Sequence, residues 1–368
     1  MKILVISSYP ERSLTHGIKT VGGASYTKNL VTNLKGNDKN IDVEVLAEIF
    51  DKKNIYFEDG IKVNRIWKRS SFLSLIQLMF YVLKNPSDKI LVSFEFYTFG
   101  GLFQNILFLA MLFFWRISGK KIVIILHQVV DRFKILYWPI IFLAEKIVVF
   151  EEKFRKILAS KKVVFIPHAV EETRIINKPE NKEFHSLYFG YISFYKGIDS
   201  LINFWRKEYG LLTIAGGGNP NHMKNKKYSK TYRNLLKMAE KNNIKTTGFI
   251  PENNIADYFS KSDLVILPYK MFFSSSGPLS LAFTFKKPFI LARPLVGYFE
   301  SPDFNEALDE IGLKKEDFIF DFNQKSFENR LNWAKKNLDK LTNFSRIMKD
   351  KRTWKKIAKQ YEKLLKQI

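Results

Sequence analysis

Three serines and a glycine stand directly before a helix-like stretch in the segment LPYKMFFSSSGPLSLAFTFKKPFILAR, residues 267–293. Pro278 suits the first turn of a helix, Ser275 or Ser276 suits the N-cap, and Gly277 leaves the nearby backbone amides uncovered. The free N–H groups and partial positive charge of a helix N-terminus bind anions, and hydroxyls add donors for phosphate oxygens. Because N-capping explains one serine and not three, this segment is predicted to bind a negatively charged ligand.

Two more loops of the second half suit a phosphate or a nucleotide. Lys196 precedes Gly197 in FGYISFYKG, after a predicted strand. Open parallel sheets bind ligands at the carboxyl ends of their strands, so this lysine could reach a phosphate there; a solvated loop lysine is the alternative. In TIAGGGNP, Gly216, Gly217 and Gly218 follow another predicted strand. Glycines allow positive φ angles and leave room for a nucleotide beside the backbone, although a flexible turn has the same composition.

The first half repeats the strand–glycine–helix pattern at Gly22 and Gly23, which would face the second site across a cleft. His127 ends the predicted strand KIVIILHQV, where it can donate to a sugar hydroxyl or contact a reacting centre. A histidine satisfied within a loop is the alternative. Glu95 ends LVSFEF in a similar way, and His16 lies in the first loop. These residues are candidates for the carboxyl edge of a first sheet.

The composition favours a folded chain with an anionic partner. Of 368 residues, 46% are hydrophobic and 15% aromatic, which excludes a disordered chain and is enough for two domains. The 60 Lys and Arg outnumber the 36 Asp and Glu, for a net charge of +24. Nucleic acid, an anionic membrane face and phosphorylated substrates all suit this excess. Cysteine is absent, so we expect neither disulfides nor thiolate metal sites, which fits a cytoplasmic location.

Several common site motifs are missing from the sequence. It has no G-x-x-x-x-G-K-[ST] and no G-x-G-x-x-G in its first turn, which removes the usual signals of nucleotide hydrolysis and nicotinamide binding. No His-rich or acidic cluster has metal-ligand spacing, so no metal is expected. No RRM- or KH-like signature accompanies the many phenylalanines, and nucleic acid is therefore not expected as a partner.

The stretch GLFQNILFLAMLFFW, Gly101–Trp115, is apolar enough to raise the question of membrane spanning. A spanning helix needs roughly 20 apolar residues, and Gln104 and Asn105 interrupt this one near its start. It is interpreted as a buried or interfacial helix. The opening MKILVISSYP is too short an apolar run for a signal peptide, so we expect none.

Short apolar strands alternate with helical spacers along the whole chain. This order is typical of parallel sheets covered on both faces by helices. A polar stretch near residues 170–185 interrupts the series and is interpreted as a linker between two α/β sheets in tandem. The final segment TWKKIAKQYEKLLKQI places its apolar residues on one face of a helix, which must be buried against another part of the chain.

Taken together, these motifs resemble the GT-B glycosyltransferases, in particular the retaining enzymes of group 1, or family 4. GGASYTKNLVTNL is similar to the family's glycine turn and first helix, and IILHQV to the strand that ends in its active-site histidine. FIPHAVEE, FGYISFYKGIDSLI, LTIAGGG and KKPFILA follow in the family's order. The resemblance implies an α/β fold of two Rossmann-like, doubly wound domains that face each other across a cleft. Residues 1–170 would bind the acceptor, residues 186–345 the nucleotide-sugar donor, and a terminal helix at 346–368 would return to the first domain.

This resemblance gives each candidate residue a role. Gly22–Gly23 would approach the donor diphosphate, His127 would lie beside the transferred sugar, and Glu95 would contact the acceptor. Lys196, beside Gly190, would neutralise the diphosphate. The other donor-binding candidates are Gly216, Gly217, Phe249 and Ile250 at the base and ribose, and Ser274, Ser275, Ser276, Gly277, Pro278 and Leu279 at the phosphates.

Two features depart from the family's pattern. The family pairs its lysine with an arginine just after the strand glycine, whereas Tyr191 follows Gly190 here. It also places two glutamates around the phosphate helix, one for hydroxyls of the transferred sugar and one for the ribose. The corresponding places in this chain, 273–274 and 281–282, have no acidic residue.

The resemblance implies sugar transfer from a nucleotide-diphosphate sugar with retention of configuration, without a cofactor or a metal. An apolar helix flanked by basic residues suits a glycan or lipid-linked acceptor and an anionic membrane surface at the cytoplasmic face; a wide helical core layer is the alternative. The missing glutamates fit a GT-B scaffold without catalysis, and the charge alone fits a nucleic-acid-binding protein. The flanking basic residues are Arg65, Lys68, Arg69, Arg116, Lys120 and Lys121.

Overall fold

The chain folds into two compact α/β units. The first contains residues 1–168 and 354–368, and the second contains residues 169–353. The structure, a computed structural model, describes residues 1–10, 22–50, 52–171, 183–219, 222–272, 274 and 276–368. His16, Ser275 and most of the predicted linker lie outside these described residues.

The first unit is built on an eight-stranded sheet. Its strands are β1 (Lys2–Ser7), β2 (Asp42–Glu48), β3 (Asn54–Glu58), β4 (Ile61–Trp67), β5 (Lys89–Phe94), β6 (Lys121–Leu126), β7 (Lys146–Val149) and β8 (Val163–Phe165). The helices among them are α1 (Gly22–Asn37), α2 (Phe72–Lys84), α3 (Leu102–Ile117), α4 (Trp138–Leu143) and α5 (Glu152–Leu158). The strand order is β3-β4-β2-β1-β5-β6-β7-β8. Strands β1, β5 and β6 are buried nearly end to end, as expected for parallel strands with helices on both faces.

One pair in this sheet is antiparallel, which differs from the parallel arrangement that the sequence predicts. Strands β3 and β4 form a hairpin at the sheet edge, closed by Asp59 and Gly60. Both residues have positive φ, 52° and 75°, as a two-residue type I′ turn requires. The Asp-Gly dipeptide between two alternating stretches is therefore the signal that identifies this hairpin from the sequence.

The second unit contains a six-stranded sheet in which every pair is parallel. Its strands are β9 (His185–Phe189), β10 (Leu211–Ala215), β11 (Lys245–Thr246), β12 (Leu264–Leu267), β13 (Phe289–Ala292) and β14 (Ile319–Phe320). Its helices are α6 (Ile198–Phe204), α7 (Lys226–Lys241), α8 (Ile255–Lys261), α9 (Gly277–Thr284), α10 (Pro302–Ile311), α11 (Gln324–Lys336) and α12 (Leu338–Lys351). Two parallel-sheet units confirm the predicted α/β fold class.

The strand order of the second sheet fixes where a ligand can bind. The order is β11-β10-β9-β12-β13-β14, so the chain leaves β9 towards one edge and returns to pair β12 with β9 on the other side. Loops that follow neighbouring strands on the two sides of such a switch point diverge and leave a crevice at the carboxyl edge. The crevice of this unit therefore lies between the loop after β9 and the loop after β12.

The helical end of the chain is divided rather than continuous. The sequence predicts one terminal helix over residues 346–368, but α12 ends at Lys351 and α13 begins at Trp354 (Trp354–Lys366). Arg352 explains the break, because its guanidinium pairs with Asp303 at 2.7 Å and its carbonyl accepts a hydrogen bond from Val170. Helix α13 then packs on α1 within the first unit.

The core of the second unit is strongly aromatic around Phe344 on α12. The side chain is fully buried, and its ring lies 4.8 Å from that of Phe318, between ring centroids. Four further rings surround it at centroid distances of 5.5 to 6.5 Å, those of Phe283, Phe289, Phe299 and Phe304. This cluster joins α9, α10 and α12 to the sheet, so the phosphate-helix candidate α9 is held from behind by packed rings.

Replacing Phe344 by alanine is expected to lower the free energy of unfolding by about 3–5 kcal/mol, because it removes a buried ring and leaves a cavity. Urea unfolding monitored by circular dichroism measures this change. Phe322→Ala is the matched control, since this ring is 37% exposed, and it is expected to cost about 1 kcal/mol or less. Equal losses in the two variants would contradict the central position of Phe344.

Candidate functional site

The loop after β9 is held against the loop after β12 by a close backbone approach at Gly197. This glycine has φ +64°, and a methyl group added to it would lie 1.8 Å from the carbonyl oxygen of Pro268. The backbone N–H of Lys270 also donates to the carbonyl of Tyr195 at 2.7 Å. The two loops that border the switch point are thus fixed to each other, and Lys196 is fixed between them.

The ammonium of Lys196 lies beside Gly190 and the first turn of α9. A methyl group at Gly190 would lie 2.9 Å from Lys196 Nζ and 3.4 Å from Cγ of Pro278. Nζ also stands 5.4 Å from the centre of the Tyr269 ring, at cation–π distance. The structure therefore brings together Gly190, Lys196 and Pro278, three candidate residues from separate segments of the sequence.

The Lys196 ammonium has no carboxylate partner in the described part of the chain. Burial away from water lowers its pKa to about 8. A partly buried cation without a counter-ion is costly, and an anionic ligand that entered the crevice would remove that cost. The neighbouring Lys270 differs, because its Nζ pairs with Asp199 at 2.6 Å.

The serines before α9 have different roles. Ser276 is the N-cap, and its Oγ accepts a hydrogen bond from the N–H of Leu279 at 3.4 Å. Ser274 is buried, Ser275 lies outside the described residues, and the side chain of Leu279 belongs to the core. At Gly277 an added methyl group would meet no described atom within 4 Å, so the start of the helix is open. An anion would thus meet the helix start at Gly277, whereas Ser276 serves as an ordinary cap.

The glycines after β10 let two backbones pass closely. A methyl group at Gly216 would lie 2.0 Å from the carbonyl oxygen of Gly190, and one at Gly217 would lie 2.9 Å from the backbone nitrogen of Phe249. The N–H of Gly190 donates to the carbonyl of Ala215 at 2.9 Å, which continues the ladder beyond the strands. Gly216 and Gly217 are therefore needed for the backbones to approach each other. Through them the loops after β9, β10 and β11 form one continuous edge.

Two aromatic side chains stand exposed on this edge. The rings of Tyr191 and Phe249 are nearly parallel, with an interplanar angle of 22° and centroids 6.3 Å apart. Tyr191 is 39% and Phe249 62% exposed, whereas Ile250 is buried. Tyr191 occupies the place where the resembled family has arginine, so an aromatic surface replaces a charge at this point of the crevice rim.

In the first unit, His127 follows β6 and contacts residues of two neighbouring elements. Its Nε2 lies 2.6 Å from the Oγ of Ser93 on β5, and a methyl group at Gly23 would lie 3.9 Å from the imidazole ring. The rings of Tyr26 and Phe150 pack edge-on against it, at centroid distances of 5.5 and 5.0 Å. Helix α1 begins at Gly22, so the predicted glycine pair and the histidine do come together.

The surroundings of His127 keep its imidazole neutral. Burial, with a smaller contribution from His168, lowers its pKa to about 3. A neutral imidazole both donates and accepts a hydrogen bond, and the contact with Ser93 uses one of these two functions. His127 is therefore suited to orient a hydroxyl group and not to supply a positive charge.

Glu95 is placed differently from His127. It follows β5, its side chain is exposed, and no hydrogen bond joins it to His127 in the described part of the chain. No group of three His, Asp or Glu side chains within the described ranges is arranged to hold a metal ion. None of the helices that the structure describes is long and apolar enough to cross a membrane.

Two contacts at these sites were not predicted from the sequence. Ser93 meets His127 across neighbouring strands, and its only signal is a hydroxyl within the otherwise apolar stretch KILVSF. Tyr269 places its ring near Lys196, and its hydroxyl lies 3.4 Å from Oγ of Ser276. Both contacts depend on which strands are neighbours, so the sequence alone does not reveal them.

The positions of the two family glutamates contain no carboxylate in this chain. Phe273 lies outside the described residues, and the neighbouring Ser274 is buried. Leu281 packs against the core and Ala282 is fully buried within α9. The first turn of α9 has no acidic residue either, so the anion-binding end of the helix carries no opposing charge.

A comparison with known sequence families gives a match that lies in the second unit and extends from before the start of β9 to just past the end of β13. Residues 169–294 match the sequence family described as Glycosyl transferases group 1. This stretch includes Gly190, Lys196, the glycine loop and α9. No curated protein matches the chain in sequence.

Solved structures match the fold over the whole chain. Sucrose-phosphate synthase from Thermosynechococcus elongatus superimposes with a TM-score of 0.70 at 13% identity, covering 100% of this chain and 98% of that one. A glycosyltransferase from Rickettsia africae gives a TM-score of 0.66 at 12% identity, covering 100% and 98%. HepE of Anabaena, in complex with UDP and glucose, gives 0.62 at 14% identity, covering 100% of both chains. The family match confirms the resemblance to group 1 glycosyltransferases that the sequence predicts. The solved structures confirm the predicted GT-B fold.

The neutral state of His127 leads to a direct prediction. Its ring carbon-bound proton shifts are expected to stay constant from pH 8 to pH 5, because a pKa of about 3 leaves the imidazole unprotonated throughout this range. Histidine NMR spectra of the protein and of a His127→Gln variant, which assigns the signal, provide the measurement. A titration of this signal with a midpoint near the ordinary value of about 6.5 would contradict the buried environment described here.

Proposed function

We propose that the protein is a glycosyltransferase that moves a sugar from a nucleotide-diphosphate sugar to a hydroxyl of a glycan or lipid-linked acceptor, with retention of configuration. The observation that carries the proposal is the unpaired ammonium of Lys196 at the switch point, beside the open start of α9. It lies within the stretch that matches group 1 glycosyltransferases. A partly buried cation beside a helix N-terminus is what a diphosphate requires.

The donor would lie along the carboxyl edge of the second sheet. Its diphosphate would meet Lys196 and the backbone of α9 near Gly277, and its base and ribose would follow the edge formed by Gly216–Gly217 and Phe249. The exposed rings of Tyr191 and Phe249 offer a flat apolar surface for the base. The HepE structure contains UDP, which makes UDP the first nucleotide to examine.

The chemistry would consist of bond formation from the acceptor oxygen to the anomeric carbon, while the bond from that carbon to the diphosphate breaks. The leaving diphosphate gains negative charge, and Lys196 with the helix start would stabilise it most strongly at that moment. The acceptor hydroxyl would give its proton to a phosphate oxygen of the departing group. We assign this neutralisation to Lys196 and the helix, and propose that the reaction uses no metal.

The neutral His127 would orient the transferred sugar through a hydrogen bond to one of its hydroxyls. Ser93 holds one ring nitrogen and leaves the other available for this purpose in the required tautomer. Glu95, exposed at the end of β5, is proposed to contact the acceptor. Since cysteine is absent from the chain, we place the reaction in the cytoplasm.

Calorimetric titration with UDP, GDP and ADP tests the donor site. One nucleotide is expected to bind saturably, and Lys196→Ala is expected to weaken it by about 10- to 100-fold, the range of a charge-assisted hydrogen bond. Incubation of the same nucleotide's sugar conjugates with acceptor glycans, followed by anomeric NMR of the product, tests transfer and retention. Binding without turnover would favour a scaffold without catalysis, whereas no binding would remove the proposal.

The pH dependence of nucleotide binding follows from the lowered pKa of Lys196. With a pKa of about 8, the ammonium is mostly protonated at pH 7 and mostly neutral at pH 9. Affinity should therefore fall about tenfold between these two values, as the free protein loses the charge that binds the diphosphate. Lys196→Arg is the matched control, because arginine stays charged and should flatten the profile. An unchanged affinity of the native protein across this range would contradict the assignment.

The two parts of the donor can be separated with inorganic pyrophosphate. Phe249→Ala is expected to weaken nucleotide binding several-fold through lost stacking, of about 1 kcal/mol or more, while pyrophosphate binding stays unchanged. Lys196→Ala should weaken both ligands. Competition calorimetry measures the two affinities, and an equal loss of both ligands in the Phe249 variant would place this ring at the phosphates instead of the base.

A further inference from the structure

Helix α3 is apolar on its outward face as well as on its inward face. The inward side chains Phe108, Met111, Leu112 and Trp115 are fully buried. Six large apolar side chains on the opposite side are 45–78% exposed, namely Leu102, Phe103, Ile106, Phe113, Phe114 and Ile117. At helical spacing these residues form a stripe along the whole length of α3. A helix that is hydrophobic all round is ordinarily buried, so this stripe is suited to a further contact.

The helices beside α3 extend this surface. Trp115 Nε1 donates to the carbonyl of Met79, which holds α2 along α3, and α4 packs against α3 as well. Their exposed apolar side chains are Phe72, Leu73 and Phe80 on α2, and Phe133, Ile135, Leu136, Trp138 and Phe142 within 131–143. We call these eight residues and the α3 stripe the apolar face. It holds 14 of the 24 exposed large hydrophobics of the described residues, so the exposure is concentrated and not scattered.

The charges around the apolar face are almost all positive. No Asp or Glu occurs in residues 68–87 or 96–130, and Asp131 is the one acid in 131–143. Four basic side chains at the helix ends have no carboxylate partner among the described residues: Lys68, Lys84, Arg132 and Lys134. The Arg132 guanidinium lies over the Phe133 ring at 4.6 Å.

Some of the basic residues that the sequence placed beside this surface have other partners. Arg65 is buried and donates to the carbonyls of Glu48 and Pro10. Lys120 is also buried, and its Nζ donates to the carbonyls of Asn85 and Ser87. Arg69 and Arg116 pair with Glu48 and Glu145, respectively. Lys121 also lies 3.7 Å from Glu145. Of the six predicted basic residues, Lys68 alone therefore keeps a free charge among the described residues, and Lys84, Arg132 and Lys134 supply the rest of the positive charge beside the apolar face.

We propose that the apolar face docks the first unit on an anionic lipid bilayer, with α2, α3 and α4 lying in the membrane interface and not crossing it. Aliphatic and phenylalanine side chains would enter the acyl boundary, Trp138 would lie at the headgroup level, and the four free cations would meet anionic headgroups. A second copy of the chain fits less well. A two-fold contact would place the same basic borders against each other without carboxylates to pair them. This docking is independent of the donor site proposed in the second unit.

Co-sedimentation of the full chain with lipid vesicles tests this docking. The protein is expected to pellet with vesicles of phosphatidylglycerol and phosphatidylcholine, and several-fold less with phosphatidylcholine alone. Ile106→Ser with Phe113→Ser should abolish most of the binding. Leu211→Ser with Phe322→Ser is the matched control, since these side chains are 51% and 37% exposed in the second unit and are not part of the apolar face. Arg132→Gln with Lys134→Gln should reduce binding to the anionic vesicles only.

Several outcomes would overturn the proposal. These are a failure of the native protein to pellet with anionic vesicles at low salt, and equal losses in the Ile106/Phe113 and Leu211/Phe322 variants. A dimer by light scattering that only the Ile106/Phe113 variant loses, without vesicle binding, would assign the face to a second copy. Leu73→Ser with Phe142→Ser provides an independent variant if the first unfolds. Nucleotide binding by each variant reports the state of the second unit separately, so failure of the docking and failure of the donor site are distinguishable.

Discussion

The second unit depends on one close approach of two backbones, at Gly197 and Pro268. A side chain at Gly197 would collide with the Pro268 carbonyl at 1.8 Å, so the contact is open to glycine alone. It lies at the switch point of the sheet, where β9 and β12 are neighbours and their loops leave the crevice. Because the loops are joined there, the backbone at Lys196 is fixed, and its ammonium lies beside the start of α9. The local geometry of the candidate anion site follows from this contact.

The site keeps a cation in surroundings that disfavour it. Desolvation lowers the pKa of Lys196, and the Tyr269 ring offers only a weak electrostatic partner at 5.4 Å. A folded protein tolerates such a cost where the rest of the unit is well packed, and the aromatic cluster around Phe344 supports α9 from behind. Local conflicts of this kind mark functional positions more often than structural ones. His127 shows a related pattern in the first unit, since burial among rings holds it neutral at a sheet edge.

Much of the fold followed from the sequence, because apolar strands alternating with helices leave few arrangements other than parallel sheets. The glycine loops, Lys196 and His127 were placed correctly at strand ends for the same reason. The β3–β4 hairpin was missed although Asp59–Gly60 signals it, and the two-residue strand β14 is too short for any periodicity. The break at Arg352 depends on a distant partner, Asp303. Contacts such as Ser93 with His127 and Tyr191 with Phe249 require knowledge of which strands are neighbours, and a single sequence does not supply it.

The crevice between the loops after β9 and β12 is proposed to bind the diphosphate of a nucleotide donor. A crystal structure of the protein with UDP provides the decisive test. Phosphate oxygens are expected within hydrogen-bond distance of Lys196 Nζ and of the backbone at the start of α9. A diphosphate bound elsewhere, for example in the surface pocket lined by Arg293, Lys325 and Arg330, with Lys196 left without an anion, would contradict it.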